Sequence, residues 1–186
     1  MPSPARDAWL ITGIPGAGKS TTARALAARL PRAAHVEGDR LGEWIIGGRV
    51  EPGQQPADEA ERQIRLNIRN QCLLARSYAR AGFVPVLDYP VVSQAHRLDS
   101  YRRALRRLRF HLVVLHPGQE VALRRDRARP EKTVAHRWVH MEEPLLHELA
   151  DLGLWIAGDE LGVDEVVELI LREQARAVLP SPGERP

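Results

Sequence analysis

The chain of 186 residues contains one cysteine, Cys72. A single thiol cannot close an internal disulfide, and it cannot build a cysteine-rich metal site. Its surroundings, NQCLLARSYA, read as helix, where a lone cysteine serves as a small buried apolar side chain. No apolar run approaches the length that spans a bilayer, and the opening MPSPARDAWLITG lacks the basic start and apolar stretch of a secretory signal. A cytoplasmic protein with no membrane partner is therefore expected. Aromatic residues make up 5%. No stretch interleaves arginines with several of them, which disfavours a surface that stacks single-stranded nucleic acid. Lysine is scarcer still, since of 27 Lys and Arg residues only Lys19 and Lys132 are lysines.

What is present is ordinary for one well-covered globular domain: 44% hydrophobic and 27% charged residues. The net charge of +3 and pI near 9.5 permit an anionic partner without demanding one. Much of the positive charge lies in YRRALRRLRF and LRRDRARPEKT. The first reads as a solvated helix face. Its alternative is a nucleic-acid track formed by Arg102, Arg103, Arg106, Arg107 and Arg109.

Apolar runs of strand length fall at 8–12, 33–37, 83–87, 108–115 and 154–157. Between them, helical periodicity covers 20–30, 57–81, 94–107, 119–127, 134–152 and 163–178. This alternation predicts a three-layer α/β/α fold with a mostly parallel five-stranded sheet, because right-handed crossovers return a helix onto the sheet after each strand. Residues 1–179 read as a single domain, and the proline-rich, polar tail 180–186 is expected to be frayed. Functional residues of such a sheet gather at the carboxyl ends of its strands.

The stretch ITGIPGAGKSTTARAL lies at the first of those ends. Gly13, Gly18, Lys19 and Ser20 fit G-x-x-x-x-G-K-[ST], with Pro15, Gly16, Ala17 and Thr21 completing the loop between strand and helix. Glycines let the backbone curl so that successive N–H groups and the helix N-terminus point at phosphate oxygens. Lys19 supplies a compact ammonium to the terminal phosphates, where a broad guanidinium would not fit. Ser20 can hold Mg2+ through its hydroxyl. A chance match is expected on the order of once in a thousand shuffles of this composition, so nucleotide phosphate binding is predicted.

Together with VEGDRLGEW after the second run, VLDYP after the third and LRRDRARPEKT beyond the fourth, this loop resembles the P-loop kinases of small molecules. That group includes chloramphenicol phosphotransferase, adenylylsulfate kinase, gluconate kinase and shikimate kinase. The resemblance implies the kinase type of the P-loop nucleoside-triphosphate hydrolase fold, ATP with Mg2+, and a hydroxyl acceptor such as an antibiotic or metabolite. It implies a base after the second strand, a position held here by Asp39, with Glu37 as runner-up. It further implies a lid near 124–133 whose arginines meet the nucleotide phosphates, Arg125 and Arg129 lying four apart as on one helix face, and a loop from Gly158 that borders the base.

Several of these residues have a plainer reading. Asp39, the choice for the base, also suits an N-cap for a helix starting at Leu41. Arg40 can hold an anionic group of the acceptor or the transferring phosphate, and Trp44 can wall the acceptor pocket or pack. Asp88, ending the third strand, suits Mg2+ binding through water, contact with the acceptor, or a turn before Tyr89 and Pro90. His136, His140, Glu143 and His147 recur on one helical face, but Arg137 stands where a zinc-protease pattern needs glutamate, so a polar face is expected. A switch GTPase is disfavoured by LDYPV, which lacks the required glycine, and by the absence of a lysine for base reading. The expected activity is transfer of the γ-phosphate to a small-molecule hydroxyl. The alternatives are a polynucleotide 5'-hydroxyl kinase and a non-catalytic nucleotide-binding module.

Overall fold

A computed structural model describes residues 5–90, 95–127, 142–157 and 161–180. Its sheet holds five strands: β1 (Asp7–Gly13), β2 (Ala33–Glu37), β3 (Val84–Asp88), β4 (Arg109–Leu115) and β5 (Leu154–Ile156). They lie in the order β2-β3-β1-β4-β5, and every pairing is parallel. Helices cover both faces. β1 and β4 are buried at six consecutive positions each, which explains why they read as continuous apolar runs; a strand covered on both faces has no solvent side on which to alternate.

Among the described residues, α1 (Lys19–Arg29), α2 (Gly38–Glu43), α3 (Ala57–Arg80), α4 (Ala95–Ala104) and α5 (Gln119–Arg127) accompany the first four strands. After them come α6 (Glu142–Leu149), α7 (Val163–Arg172) and α8 (Gln174–Ala177). The 24-residue α3 buries Ile64, Ile68, Cys72 and Ala75, a stripe with helical spacing that seats it on the sheet. Leu10, Ile11, Leu87 and Leu112 are fully buried, each worth roughly 1.5–3 kcal/mol relative to exposure.

The chain leaves β1 toward β2 on one side, and leaves β3 toward β4 on the other. Neighbouring strands whose connections part in this way open a crevice at their carboxyl ends. Here that crevice lies between Gly13 and Asp88.

Two elements differ from the sequence expectation. The periodic stretch 163–178 is not one helix: it breaks at Glu173, where ψ turns to 18°. The chain then lays Val178 antiparallel to His111, and Leu179 N–H donates to the Phe110 carbonyl at 2.9 Å. Docking on β4 overrides the helical pattern. The helix after β2 starts at Gly38 rather than Leu41, which puts Asp39 in its first turn and makes Glu37 the cap position. Residues 181–186, most of the expected tail, lie outside the described residues.

Candidate active site

The loop from β1 to α1 is held by close backbone approach. A Cβ on Gly16 would lie 2.2 Å from the carbonyl oxygen of Ala122 in α5, and its φ of +85° is one that other residues rarely adopt. Gly18 caps α1 in a left-handed conformation, φ +92°, yet a Cβ there would meet nothing within 4 Å. The space beside it is open, no side chain caps the helix, and its first turn has no acidic residue. This is the electrostatic setting an anion needs at a helix start. Lys19 folds back over the loop, its Nζ donating to the Ile14 carbonyl at 3.1 Å.

Across the crevice, α2 is positioned by Gly38. Its N–H donates to Asp88 Oδ1 at 3.2 Å, and its carbonyl accepts from Asn67 Nδ2 at 2.8 Å. Asn67 Oδ1 accepts from Gln71 Nε2 at 3.1 Å, and Gln71 Oε1 from the Tyr101 hydroxyl at 2.9 Å. All four partners are at least nine-tenths buried. A buried polar chain satisfied in this way is rigid, since each lost bond leaves an unpaired group. The next residue, Asp39, is exposed and faces the crevice.

A cavity of about 450 Å³ joins the two sides. Its lining includes Pro15, Gly16, Gly18, Lys19 and Ser20 of the loop, Asp39 of α2, the segment 49–55, the inner face of α3, Tyr89 and Arg97. Gln63 on α3 ties down the segment: its Nε2 donates to the Gly48 carbonyl at 2.8 Å, and its Oε1 accepts from Val50 N–H at 3.0 Å. Burial first, and then the Asp39 charge, push the Tyr89 hydroxyl up to about 12; it stays a neutral donor in the working pH range.

The other candidates fall around this cavity rather than in it. Gly13 and Ala17 are buried within the loop, and Thr21 is exposed on α1. Arg40 is turned to solvent beside Glu43, at 3.2 Å, and Glu37, at 3.9 Å. Trp44 is 71% exposed at the end of α2 and outside the lining. Asp88 is buried; while Oδ1 holds Gly38, Oδ2 lies 3.6 Å from His35 Nε2, and neither of those two atoms has a hydrogen-bond partner. Arg125 is half-buried on α5. Arg129, Lys132, Gly158, His136 and His140 lie outside the described residues, as does the expected lid beyond 127. Glu143 and His147 are exposed on α6, and no group of three potential metal ligands occurs among the described residues.

Sequence reasoning missed Asn67, Gln71, Gln63, Glu61 and Arg97. One clue was available: Asn67 and Gln71 are polar residues four apart, within the buried stripe of α3. The arginine-rich α4 segment spends part of its charge internally, Arg102 on Asp99 and the Pro180 carbonyl, and Arg103 on the Asp99 carbonyl.

A family model described as an AAA domain matches residues 9–144. No curated protein matches the sequence. Among solved structures, the tunicamycin resistance protein of Deinococcus radiodurans is 25% identical, covers 94% of this chain and 98% of its own, and superposes with a TM-score of 0.61. The APS kinase of Mycobacterium tuberculosis, solved with AMPPNP and APS, is 21% identical over 92% of this chain and 98% of its own, TM-score 0.65. A gluconokinase from Sinorhizobium meliloti 1021 is 17% identical over 93% and 94%, TM-score 0.65. Among the described residues, no helix is long and apolar enough to cross a membrane.

Proposed function

Because the chain belongs to the AAA-domain family and its structural neighbours are P-loop kinases, we propose that it is an ATP- and Mg2+-dependent phosphotransferase acting on a hydroxyl of a small molecule. The observation that carries this reading is one cavity lined by both the phosphate loop and Asp39.

The loop fits a triphosphate. Its open Gly18 position, uncapped helix start and neighbouring ammonium form a cradle with room for phosphate oxygens. Lys19 leaves the Ile14 carbonyl for the terminal phosphates, and the loop N–H groups share their charge. Ser20 is the residue whose hydroxyl would hold Mg2+, with Asp88, which ends β3, as the carboxylate that would support it through water. When bound, the metal draws negative charge from the phosphate oxygens; a hydroxyl plus phosphates and water is the donor set it prefers.

Asp39 orients the acceptor hydroxyl and takes its proton as that oxygen bonds to the γ-phosphorus and the bond to the leaving ADP oxygen breaks. Asp88, through Gly38, holds α2 so that Asp39 stands in reach. Arg125 and Arg129 are assigned the charge developing on the transferred group, with Gly158 near the base. Arg40 and Trp44 border the acceptor entrance from α2.

The test is Mg-ATP turnover against a pooled library of hydroxyl compounds, including short 5'-hydroxyl oligonucleotides, with Asp39→Asn and Lys19→Ala alongside. Lys19→Ala should lose nucleotide binding and turnover together. Asp39→Asn should keep nucleotide affinity while turnover falls about 10²–10⁴-fold, the usual worth of a positioned base. Unchanged turnover in Asp39→Asn would remove it from the mechanism, and ATP binding with no acceptor phosphorylated would favour a binding module.

A further inference from the structure

Among the described residues, the charged side chains that line the cavity are equal in number by sign, and two of the three cations are paired with lining carboxylates. Lys19, Arg49 and Arg97 stand against Asp39, Glu51 and Glu61. Arg97, with a side chain only 9% exposed, brings Nη2 to 2.6 Å from Glu61 Oε2. Arg49 Nη2 lies 3.2 Å from Glu51 Oε1. Glu61 also draws Arg65 to 3.4 Å and His96 Nε2 to 3.8 Å. Lys19 belongs to the phosphate loop, so its charge is committed to the nucleotide. Among the described lining residues this leaves two guanidiniums, each already in an ion pair, against three carboxylates.

An anionic acceptor needs a cation without a partner. Drawing Arg97 away from Glu61 would break a 2.6 Å ion pair on a guanidinium that is almost fully buried, leaving Glu61 only its longer contacts to Arg65 and His96, and weakening a pair at such a site is costly. An arriving anion would also meet the carboxylate in excess, Asp39, whose charge faces the same cleft and repels it. The remaining polar groups serve hydrogen bonding. Gln54 and Gln55 spend their Oε1 atoms on the backbone N–H groups of Glu51 and Ala57, which leaves amide donors at the cavity mouth. Tyr89 stays protonated, and Ile45, Val50, Ile64 and Pro90 supply apolar wall.

We infer that the acceptor is an uncharged, hydroxyl-bearing organic molecule, with no carboxylate, sulfate or phosphate beside the reacting hydroxyl. This rests on the kinase reading above and names the class of molecule its acceptor end admits. Glu61 and Glu51 are the residues that exclude anions, Glu61 by occupying Arg97 and Glu51 by occupying Arg49.

The test is a panel of matched pairs, each hydroxyl compound offered uncharged and with an added anionic group: glucose and glucuronate, uridine and uridine monophosphate, and further pairs of the same design. Binding is read by saturation-transfer NMR on the protein loaded with a non-hydrolysable ATP analogue and Mg2+, and phosphoryl transfer is read separately with ATP. In the native protein the uncharged member of each binding pair should be favoured by at least about tenfold, a modest result for one like-charge encounter. Glu61→Gln should narrow that gap by freeing Arg97, and Glu51→Gln, at a more exposed pair, should narrow it less. Preference for the anionic members, or a gap untouched in both variants, overturns the inference while transfer to any member preserves the kinase reading. Binding ranked as expected without transfer overturns the kinase reading instead and leaves the class of ligand standing. No binding by any pair member overturns both.

Discussion

At Gly38 an added methyl group would arrive 2.5 Å from the Tyr89 ring, 2.6 Å from Gln71 Nε2 and 2.8 Å from the Asp88 carbonyl oxygen. Two of those neighbours are backbone or hydrogen-bonded amide, so the backbone at the start of α2 must move. Gly38→Ala is expected to cost about 1–3 kcal/mol of stability as an overpacked site, and to lower turnover by displacing Asp39. Nucleotide affinity should hold, because Lys19 and its loop hang from β1. Asn67→Ala approaches the same carbonyl from the other side: it removes the 2.8 Å donor and leaves the buried Gln71 amide without its Asn67 acceptor, at about 1–3 kcal/mol. Thermal melting, nucleotide titration and turnover of both variants check this, and a parallel loss of nucleotide affinity would refute the separation of roles. The sequence could not show this arrangement. Read locally, Asp39 is a good N-cap for a helix starting at Leu41. The partner that takes the Gly38 N–H instead is Asp88, fifty positions along the chain.

The five strands fall within a residue or so of the apolar runs. The reason is plainest for β1 and β4, which are enclosed by helices and have only buried positions to show over six consecutive residues. α3 is equally plain, with its stripe of Ile64, Ile68, Cys72 and Ala75. The break between α7 and α8 is invisible locally, since docking of Val178 and Leu179 on β4 causes it. Segment 49–55 carries no readable pattern either: its shape comes from Gln63 reaching across from α3. The depth of the α3 stripe has a chemical consequence at Cys72. Burial pushes its thiol up to about 12, and Arg76 only partly offsets this. The thiolate is the reactive form, so at pH 8 the native protein should leave a thiol reagent such as Ellman's unreacted and release one equivalent in denaturant. Rapid labelling of the native protein would mean that α3 lifts from the sheet far more often than its packing allows.

Across the whole molecule, the phosphate loop is where separate parts of the chain meet. It leaves β1 at the centre of the sheet, starts α1, and packs Gly16 against Ala122 of α5. A ligand seated there contacts only the folded arrangement, because the unfolded chain has no curled loop to offer. Binding therefore adds directly to folding stability. Mg-ATP at a hundred times its dissociation constant should contribute about 2.7 kcal/mol, which for a chain of this size raises the melting temperature by about 5–10 °C. Asp39→Asn should show the full rise, because α2 lies across the cavity from the phosphates. Lys19→Ala should show almost none, although its own melting temperature without nucleotide should stay near that of the native protein, the ammonium being held there by a hydrogen bond to Ile14 within its own loop. A scan of the three proteins with and without Mg-ATP distinguishes the cases. An undiminished rise in Lys19→Ala would put the nucleotide somewhere other than the loop at the end of β1. A rise lost in Asp39→Asn would mean that both ends of the cavity grip the same molecule, leaving no separate place for an acceptor.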